Sequence, residues 1–210
     1  MDNRGILTVV SGFSGAGKGT LMKRLLEKYD NYSLSISATT RAPREGEEHG
    51  REYFFHTKEE FEELISQDAL IEYAQYVENY YGTPKAYVEK QLEAGRDVIL
   101  EIEIQGALKV KEKRPDTLLM FVTPPSAKEL KRRLTDRGTE TPEVIESRLR
   151  RASEEAEGMP LYDYVLINDD LEECVDRMHS IIQSQHNTVK NSAPFIEKIT
   201  SEVAVFAKGE

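Results

Sequence analysis

The sequence predicts an α/β fold, a parallel five-stranded sheet flanked by helices and interrupted by an inserted mixed α+β lobe. Three observations predict it. Short apolar runs bounded by turn residues recur along the chain, as expected of strands buried on both faces. Between them lie segments whose apolar residues repeat at helical spacing, and this alternation argues a parallel sheet with crossover helices. Residues 45–82 break the rhythm with a Tyr- and Phe-rich stretch of short strands and one helix.

Taken in order, Ile6 to Val10 is the first buried strand, and Leu21, Met22, Leu25 and Leu26 mark the helix behind it. Tyr32, Leu34 and Ile36 alternate with Ser33, Ser35 and Ser37, a strand with one polar edge. Thr57 to Glu60 is a capping box that opens a helix through Phe61, Leu64 and Ile65. Thr83-Pro84 predicts an N-cap followed by proline at the first helical position, with Gly95 ending that helix. Val98 to Ile102, Thr117 to Val122 and Tyr164 to Ile167 complete the five strands. Ser126 to Glu129 is a second capping box, with Gly138 closing its helix; Pro142 starts the next, and Asp170 with Glu173 caps the last long one. The tail from Asn187 is compatible with an extension of that helix.

The 210 residues suit one domain with inserted lobes. With 38 acidic and 28 basic residues the net charge is -10, opposite to the usual balance of a nucleic-acid binder, so an anionic ligand must be met by a local basic cluster. A single cysteine, Cys174, allows no internal disulfide and suits a reducing compartment; it reads as a small apolar residue on a helix face. Neither a leader-like apolar stretch nor a segment of transmembrane length is evident, so a soluble cytoplasmic protein without membrane or nucleic-acid partners is expected. His49, His56, His179 and His186 show no metal-ligand spacing with the cysteine.

Gly12-Phe13-Ser14-Gly15-Ala16-Gly17-Lys18 stands between the first strand and its helix, the context of a phosphate-binding loop. Glycines let backbone N–H groups turn inward and approach a polyphosphate that a Cβ would obstruct. The helix then points its positive end at the same anion, and Lys18 reaches the terminal phosphates. The bland alternative is a tight turn with a solvated lysine. One position departs from the pattern: Gly19 stands where Ser or Thr usually offers a hydroxyl to magnesium. Thr20 follows one residue later, about 100° further round the helix. Either Thr20 acts differently, or magnesium is held by water, phosphate oxygens and carboxylates.

Arg41 and Arg44 leave a strand end three residues apart, with Pro43 stiffening the loop. Two guanidiniums there can fork onto one phosphate, and the hydroxyls of Tyr53 and Tyr81 can donate to it. The same residues suit a solvated basic loop beside core aromatics. Glu101 and Glu103 alternate with Ile102 and Ile104 at a strand's carboxyl end, so period-two spacing places both carboxylates on one face, where α/β sheets bind ligands; a solvated strand edge is the alternative. From Lys128 to Arg151 eight basic and five acidic residues give a local +3. Arg133 and Arg137 share a helical face and Arg148 follows on the next helix; Arg132 reads as a solvated member of the same amphipathic run.

Together, "SATTRAPREGEEHGREYFF", "IEYAQYVENYYGTP", "LEIEIQGA", "VTPPSAKELKRRLTDRGTE" and "INDD" resemble the guanylate kinases, from about Ile6 to beyond Asp170. The resemblance implies transfer of the γ-phosphate of ATP to GMP, and to dGMP, with Mg2+, in purine nucleotide metabolism. It implies a core (1–36, 90–124 and 156–190), a GMP-binding lobe (37–89), a lid (125–155) and a tail (191–210). On the donor side it implies Gly12, Phe13, Ser14, Gly15, Ala16, Gly17, Lys18, Gly19 and Thr20, with Asn168 beside adenine. On the acceptor side Ser37, Arg41, Arg44 and Tyr53 would hold the GMP phosphate, with Tyr81 as a further contact and Glu47 nearby. Glu72 and Thr83 would face guanine, whose N1–H and 2-amino group one carboxylate can accept; relatives often carry serine at the second position. Glu101 would lie near guanine and the magnesium water shell, with Glu103 beside it, although relatives commonly have aspartate there. Lys18, Arg41, Arg133, Arg137 and Arg148 would neutralise charge in the transition state. Two rivals remain at this level. A binding module of the same fold would lack the glycine loop and hold a phosphopeptide without ATP. The other is a kinase for another nucleoside monophosphate, against which Glu72 and Thr83 argue for guanine.

Overall fold

The computed structural model describes residues 4–76, 78–136 and 141–207. β1 (Leu7–Gly12) leads through the glycine loop into α1 (Lys18–Lys28) and then β2 (Tyr32–Leu34). A second sheet follows, made of β3 (Ser37–Thr39), β4 (Tyr53–Phe55), β5 (Leu70–Tyr76) and β6 (Asn79–Pro84), with α2 (Lys58–Ser66) before β5 and α3 (Lys85–Glu93) after β6. The chain returns through β7 (Asp97–Glu101), α4 (Ile104–Lys113), β8 (Leu118–Thr123), α5 (Ala127–Asp136), α6 (Pro142–Ala156), β9 (Tyr164–Ile167), α7 (Leu171–Gln185) and α8 (Ala193–Phe206).

The first sheet has five strands in the order β2-β7-β1-β8-β9, all pairs parallel, as the buried apolar runs predict. Alternate residues face opposite layers. Val10, Ile99 and Met120 join Leu21, Met22 and Leu25 of α1 and Val175, Met178 and Ile182 of α7. Val9, Val98, Leu100 and Leu119 pack instead on Val88 and Leu92 of α3 and Ala107 and Val110 of α4. With both faces covered, the free carboxyl ends of β1 and β7 form the rim where a ligand can enter. The second sheet, ordered β4-β3-β6-β5, is mixed and has its own small core of Ala38, Phe61 and Leu70.

Local signals decide several boundaries. Thr57 and Glu60 exchange both bonds of the predicted capping box. Ser126 accepts from the Glu129 amide, but the Glu129 carboxylate turns to Arg132 and Arg133, so only half of that box forms. The strand expected over Tyr32–Ile36 ends at Leu34, and the chain crosses to the second sheet at Ser37. Thr83 and Pro84 stay in β6 instead of opening α3: the Thr83 hydroxyl donates to Glu72, and Pro84 itself occupies the N-cap position. β7 stops at Glu101, and Glu103 is the N-cap residue of α4, so the two carboxylates do not share one strand face. The tail does not continue α7; it turns and forms α8 as a separate helix. The predicted stop at Gly138 lies outside the described residues.

Candidate active site

The glycine loop closes tightly around its own backbone. Gly17, at the N-cap of α1, has φ +88°, a left-handed conformation that side chains disfavour. A Cβ there would sit 2.6 Å from Asn168 Nδ2. Gly12 (φ +154°) is barred from a side chain by the Val122 carbonyl, 2.1 Å from where its Cβ would lie. Phe13 and Ala16 are buried, and the Phe13 ring packs edge-on against Phe121 at 5.0 Å, so these two residues offer a nucleotide their backbone alone. Lys18 Nζ donates to the carbonyls of Gly12 (2.7 Å) and Phe13 (3.2 Å), folding back over the loop's mouth. Gly19 and Thr20 are exposed, and nothing lies within 4 Å of a Cβ built on Gly19. Asn168 is buried and donates its amide to the Ala16 carbonyl at 2.8 Å, bracing the loop from beneath.

Two overlapping hollows, of about 660 and 880 Å³, share Ser37, Tyr53, Glu101, Glu103, Arg151 and Glu155 and so form one cleft between the two sheets. One end reaches Gly12, Ser14, Lys18 and Arg148. The other reaches Glu72, Tyr81 and Gly106. The volume suits a nucleotide-sized ligand.

At the far end Glu72, on β5, is 7% exposed and accepts from the Thr83 hydroxyl at 2.9 Å. Burial raises its carboxyl above the usual range, and the Thr83 bond pulls it partly back. A Cβ on Gly106 would come within 3.2 Å of Glu72 Oε2, so the glycine leaves that oxygen open to the cleft. A buried carboxylate with one oxygen fixed and the other facing a hollow is built to accept from a paired N–H donor.

Arg41 forks onto Glu47, with both contacts at 3.0 Å, and lies over the rings of Tyr53 and Phe55 at 5.3 and 5.9 Å. Glu47 also accepts from the Arg44 amide at 2.8 Å, and the Arg41 bond, then the Arg44 amide, holds its carboxyl below the usual range. Arg41, Arg44 and Glu47 are not among the cleft's lining residues; they form a cluster behind Tyr53, whose ring meets Tyr81 edge-on at 6.2 Å.

Across the cleft α6 presents Arg148, which donates to Ser14 Oγ at 2.5 Å, and Arg151, which is bonded to Glu103 and, at 3.0 Å, to Glu155. Glu101 stands beside Lys18; crowding raises its carboxyl and the ammonium pulls it back. Burial likewise raises Glu155, with Arg151 opposing. Arg133 is held at 2.7 Å by Glu129, whose carboxyl Arg132 and Arg133 pull down to about 2. Arg133 does not line the cleft, and Arg137 lies outside the described residues. Among the described residues no group of three or more His, Cys, Asp or Glu is arranged to hold a metal ion.

Comparison with known proteins adds to this geometry. The sequence profile described as guanylate kinase matches residues 4–185. The guanylate kinase of Oceanobacillus iheyensis is 51% identical over 199 residues, covering 95% of this chain and 97% of that protein. That of Bacillus subtilis is 48% identical over 200 residues, covering 95% and 98%. The crystal structure of guanylate kinase from Anaplasma phagocytophilum superposes with a TM-score of 0.67 at 35% identity, covering 88% of this chain and 87% of that one. The chain belongs to the guanylate kinase family.

Within this guanylate kinase fold the structure brings together Gly12, Ser14, Lys18, Ser37, Tyr53, Glu72, Tyr81, Glu101, Glu103 and Arg148 around one cleft, with Thr83 directly behind Glu72. Sequence reading missed Arg151 and Glu155. Both lie on the helical face that carries Arg148, at spacings of three and seven residues, so the signal was present.

Proposed function

We propose that this chain transfers the γ-phosphate of ATP to GMP, giving ADP and GDP, with the donor at the glycine loop and the acceptor base at Glu72. The observation that carries the reading is the single cleft with Lys18 at one end and the Glu72–Thr83 pair at the other. Family membership supports it. The intact loop argues against a phosphopeptide-binding module, and a buried carboxylate with an open oxygen suits guanine, whose N1–H and 2-amino group form a donor pair that adenine lacks.

In this account the amides of residues 12–18 and the N-terminal end of α1 cradle the polyphosphate, and Lys18 exchanges the Gly12 and Phe13 carbonyls for phosphate oxygens. The exposed arginine loop swings toward the cleft as the second sheet closes, and Arg41 and Arg44 take the GMP phosphate beside Ser37, Tyr53 and Tyr81. Arg148 moves from Ser14 to the transferring group. An oxygen of the GMP phosphate, already ionised, forms a bond to the γ-phosphorus. The bond from that phosphorus to the β–γ bridging oxygen breaks, and its electron pair stays on ADP. No side-chain base is required, so positioning and charge neutralisation supply the rate. Gly19 has no hydroxyl to offer a metal, and Glu101, which lines the cleft with Lys18, is the carboxylate that would hold Mg2+ through water beside the nucleotide phosphates. When bound, the metal would neutralise phosphate charge.

An ADP-release assay across GMP, dGMP, AMP, UMP and dTMP tests the reading. GMP is expected to be the fastest acceptor, with dGMP next; AMP outrunning GMP would overturn the base assignment.

A further inference from the structure

The phenol of Tyr162 lies between α6 and the strand that leads into the glycine loop. It follows α6, the helix that carries Arg148 and Arg151, by way of a short 3-10 turn (Met159–Leu161). Its ring meets Phe121 edge-on at 5.3 Å, and Phe121 meets Phe13 of the glycine loop edge-on at 5.0 Å. The rings are held in one stack, but the phenolic oxygen gains nothing from it. Tyr162 Oη is sealed from solvent and meets no hydrogen-bond partner among the described residues. Two groups nevertheless act on it from nearby. Burial raises the phenol to about 12, the Ser11 hydroxyl pulls it down, and the Glu155 carboxylate on α6 adds to the rise. Ser11 is itself buried, directly before Gly12, and donates to the Ile102 carbonyl at 2.7 Å, which leaves its oxygen free to accept. A buried hydroxyl without a partner costs stability that phenylalanine in the same space would not. Among the described residues Thr8, Ser35 and Thr117 share this lack, but they lie on or beside β1, β2 and β8, whereas Tyr162 follows α6.

We infer that Tyr162 is a positioning residue whose hydroxyl donates to Ser11 Oγ when both nucleotides are bound. The inference rests on the kinase reading, in which Arg148 leaves Ser14 for the transferring phosphate. That exchange draws α6 over the glycine loop, and the short turn after α6 passes the shift to Tyr162. The Phe121 stack guides the ring while its hydroxyl closes on Ser11. Glu155 is the competing acceptor, but Arg151 already holds it at 3.0 Å. The new bond ties the end of α6 to the strand that runs into Gly12, and so keeps Arg148 over the phosphates in the complex with both nucleotides. Without nucleotide the bond is absent and the hydroxyl is a burden on the fold.

Calorimetric titration of GMP into the full chain saturated with a non-hydrolysable ATP analogue and Mg2+ is the test, with each nucleotide also titrated alone. Tyr162→Phe should weaken GMP about two- to tenfold in the saturated complex, as expected on losing one hydrogen bond, and leave both single-nucleotide affinities at wild-type values. Without nucleotide its melting temperature should match or exceed that of the wild type. In a Ser11→Ala background the same substitution should change GMP affinity by less than about twofold, because the acceptor is gone. The inference fails if Tyr162→Phe leaves the saturated complex unchanged, or if it weakens each nucleotide alone as much. It fails equally if Tyr162→Phe lowers the nucleotide-free melting temperature, or if its full effect persists with Ser11→Ala. Transfer to GMP by the wild type is assayed separately. A wild type that phosphorylates GMP while Tyr162→Phe binds as it does strikes this inference alone. A wild type that transfers nothing to GMP strikes the kinase reading, and this inference with it.

Discussion

The glycine loop and the arginine loop are both places for negative charge, yet they are built in opposite ways. Residues 12–18 are fixed before any ligand arrives. Gly12 and Gly17 tolerate no Cβ, Phe13 is anchored in the core, and Asn168 braces the Ala16 carbonyl. Arg41 and Arg44 lie on an exposed turn of the second sheet, where Arg41 is satisfied by Glu47. A preformed amide cradle cannot relax when the nucleotide leaves, so its binding energy is already committed. A guanidinium paired with a neighbouring carboxylate can change partners, and it prevents an uncompensated cation from sitting at the cleft edge. The donor site is therefore rigid and the acceptor site responsive.

Removing the cation of the rigid site should have the largest effect. Lys18→Ala is expected to lower turnover by about 100- to 1,000-fold, as loss of one charge-stabilising donor does, while leaving the melting temperature nearly unchanged. Comparable losses of turnover and stability would mean that Lys18 is chiefly structural.

Glu72→Gln should lower kcat/KM for GMP by about 10- to 100-fold, the usual worth of hydrogen bonds to a charged group. Its effect on stability should run the other way. Burial raises the Glu72 carboxyl in the folded chain above its unfolded value, so the folded state favours the protonated form. That contribution is fully present below the unfolded pKa and is lost as pH rises through the folded one. Melting curves from mildly acidic to neutral pH should show Glu72→Gln gaining on the wild type as pH rises. A constant difference would separate Glu72 from that penalty.

Arg151→Met cuts the tie between α6 and Glu103 across the cleft. The pair is partly exposed, so a loss of about two- to fivefold in turnover is expected, with partial recovery on combining Arg151→Glu with Glu103→Arg. No recovery would assign Arg151 a direct ligand contact instead of a positioning role. Gly19→Ser has the smallest expected effect. Its Cβ meets open space, and serine should stabilise α1 by about 0.3–0.5 kcal/mol, seen as a slight rise in melting temperature. A fall would show that the loop needs glycine there.

The rigid half of the molecule was also the more legible half. The apolar run of β1, the glycines behind it and the Thr57 capping box are local signals, and local signals survive into the fold. The responsive half depends on pairings across sequence distance that no local pattern encodes. Thr83 looks like an N-cap until Glu72, eleven residues back, claims its hydroxyl. Glu103 looks like a strand residue until β7 stops two positions earlier. Arg41 looks poised for a ligand, and only the folded turn brings Glu47 onto it. The same reason hid Arg151, whose place at the cleft depends on α6 crossing to the end of β7.

The most direct test of two separate anion sites is calorimetric titration of Arg41→Met with GMP alone and with ATP alone. GMP affinity should fall by about 10- to 100-fold, as expected on losing a charge-assisted contact, while ATP affinity stays at the wild-type value. Unchanged GMP affinity, or an equal loss for both nucleotides, would contradict the division of the molecule into a fixed donor site and a responsive acceptor site.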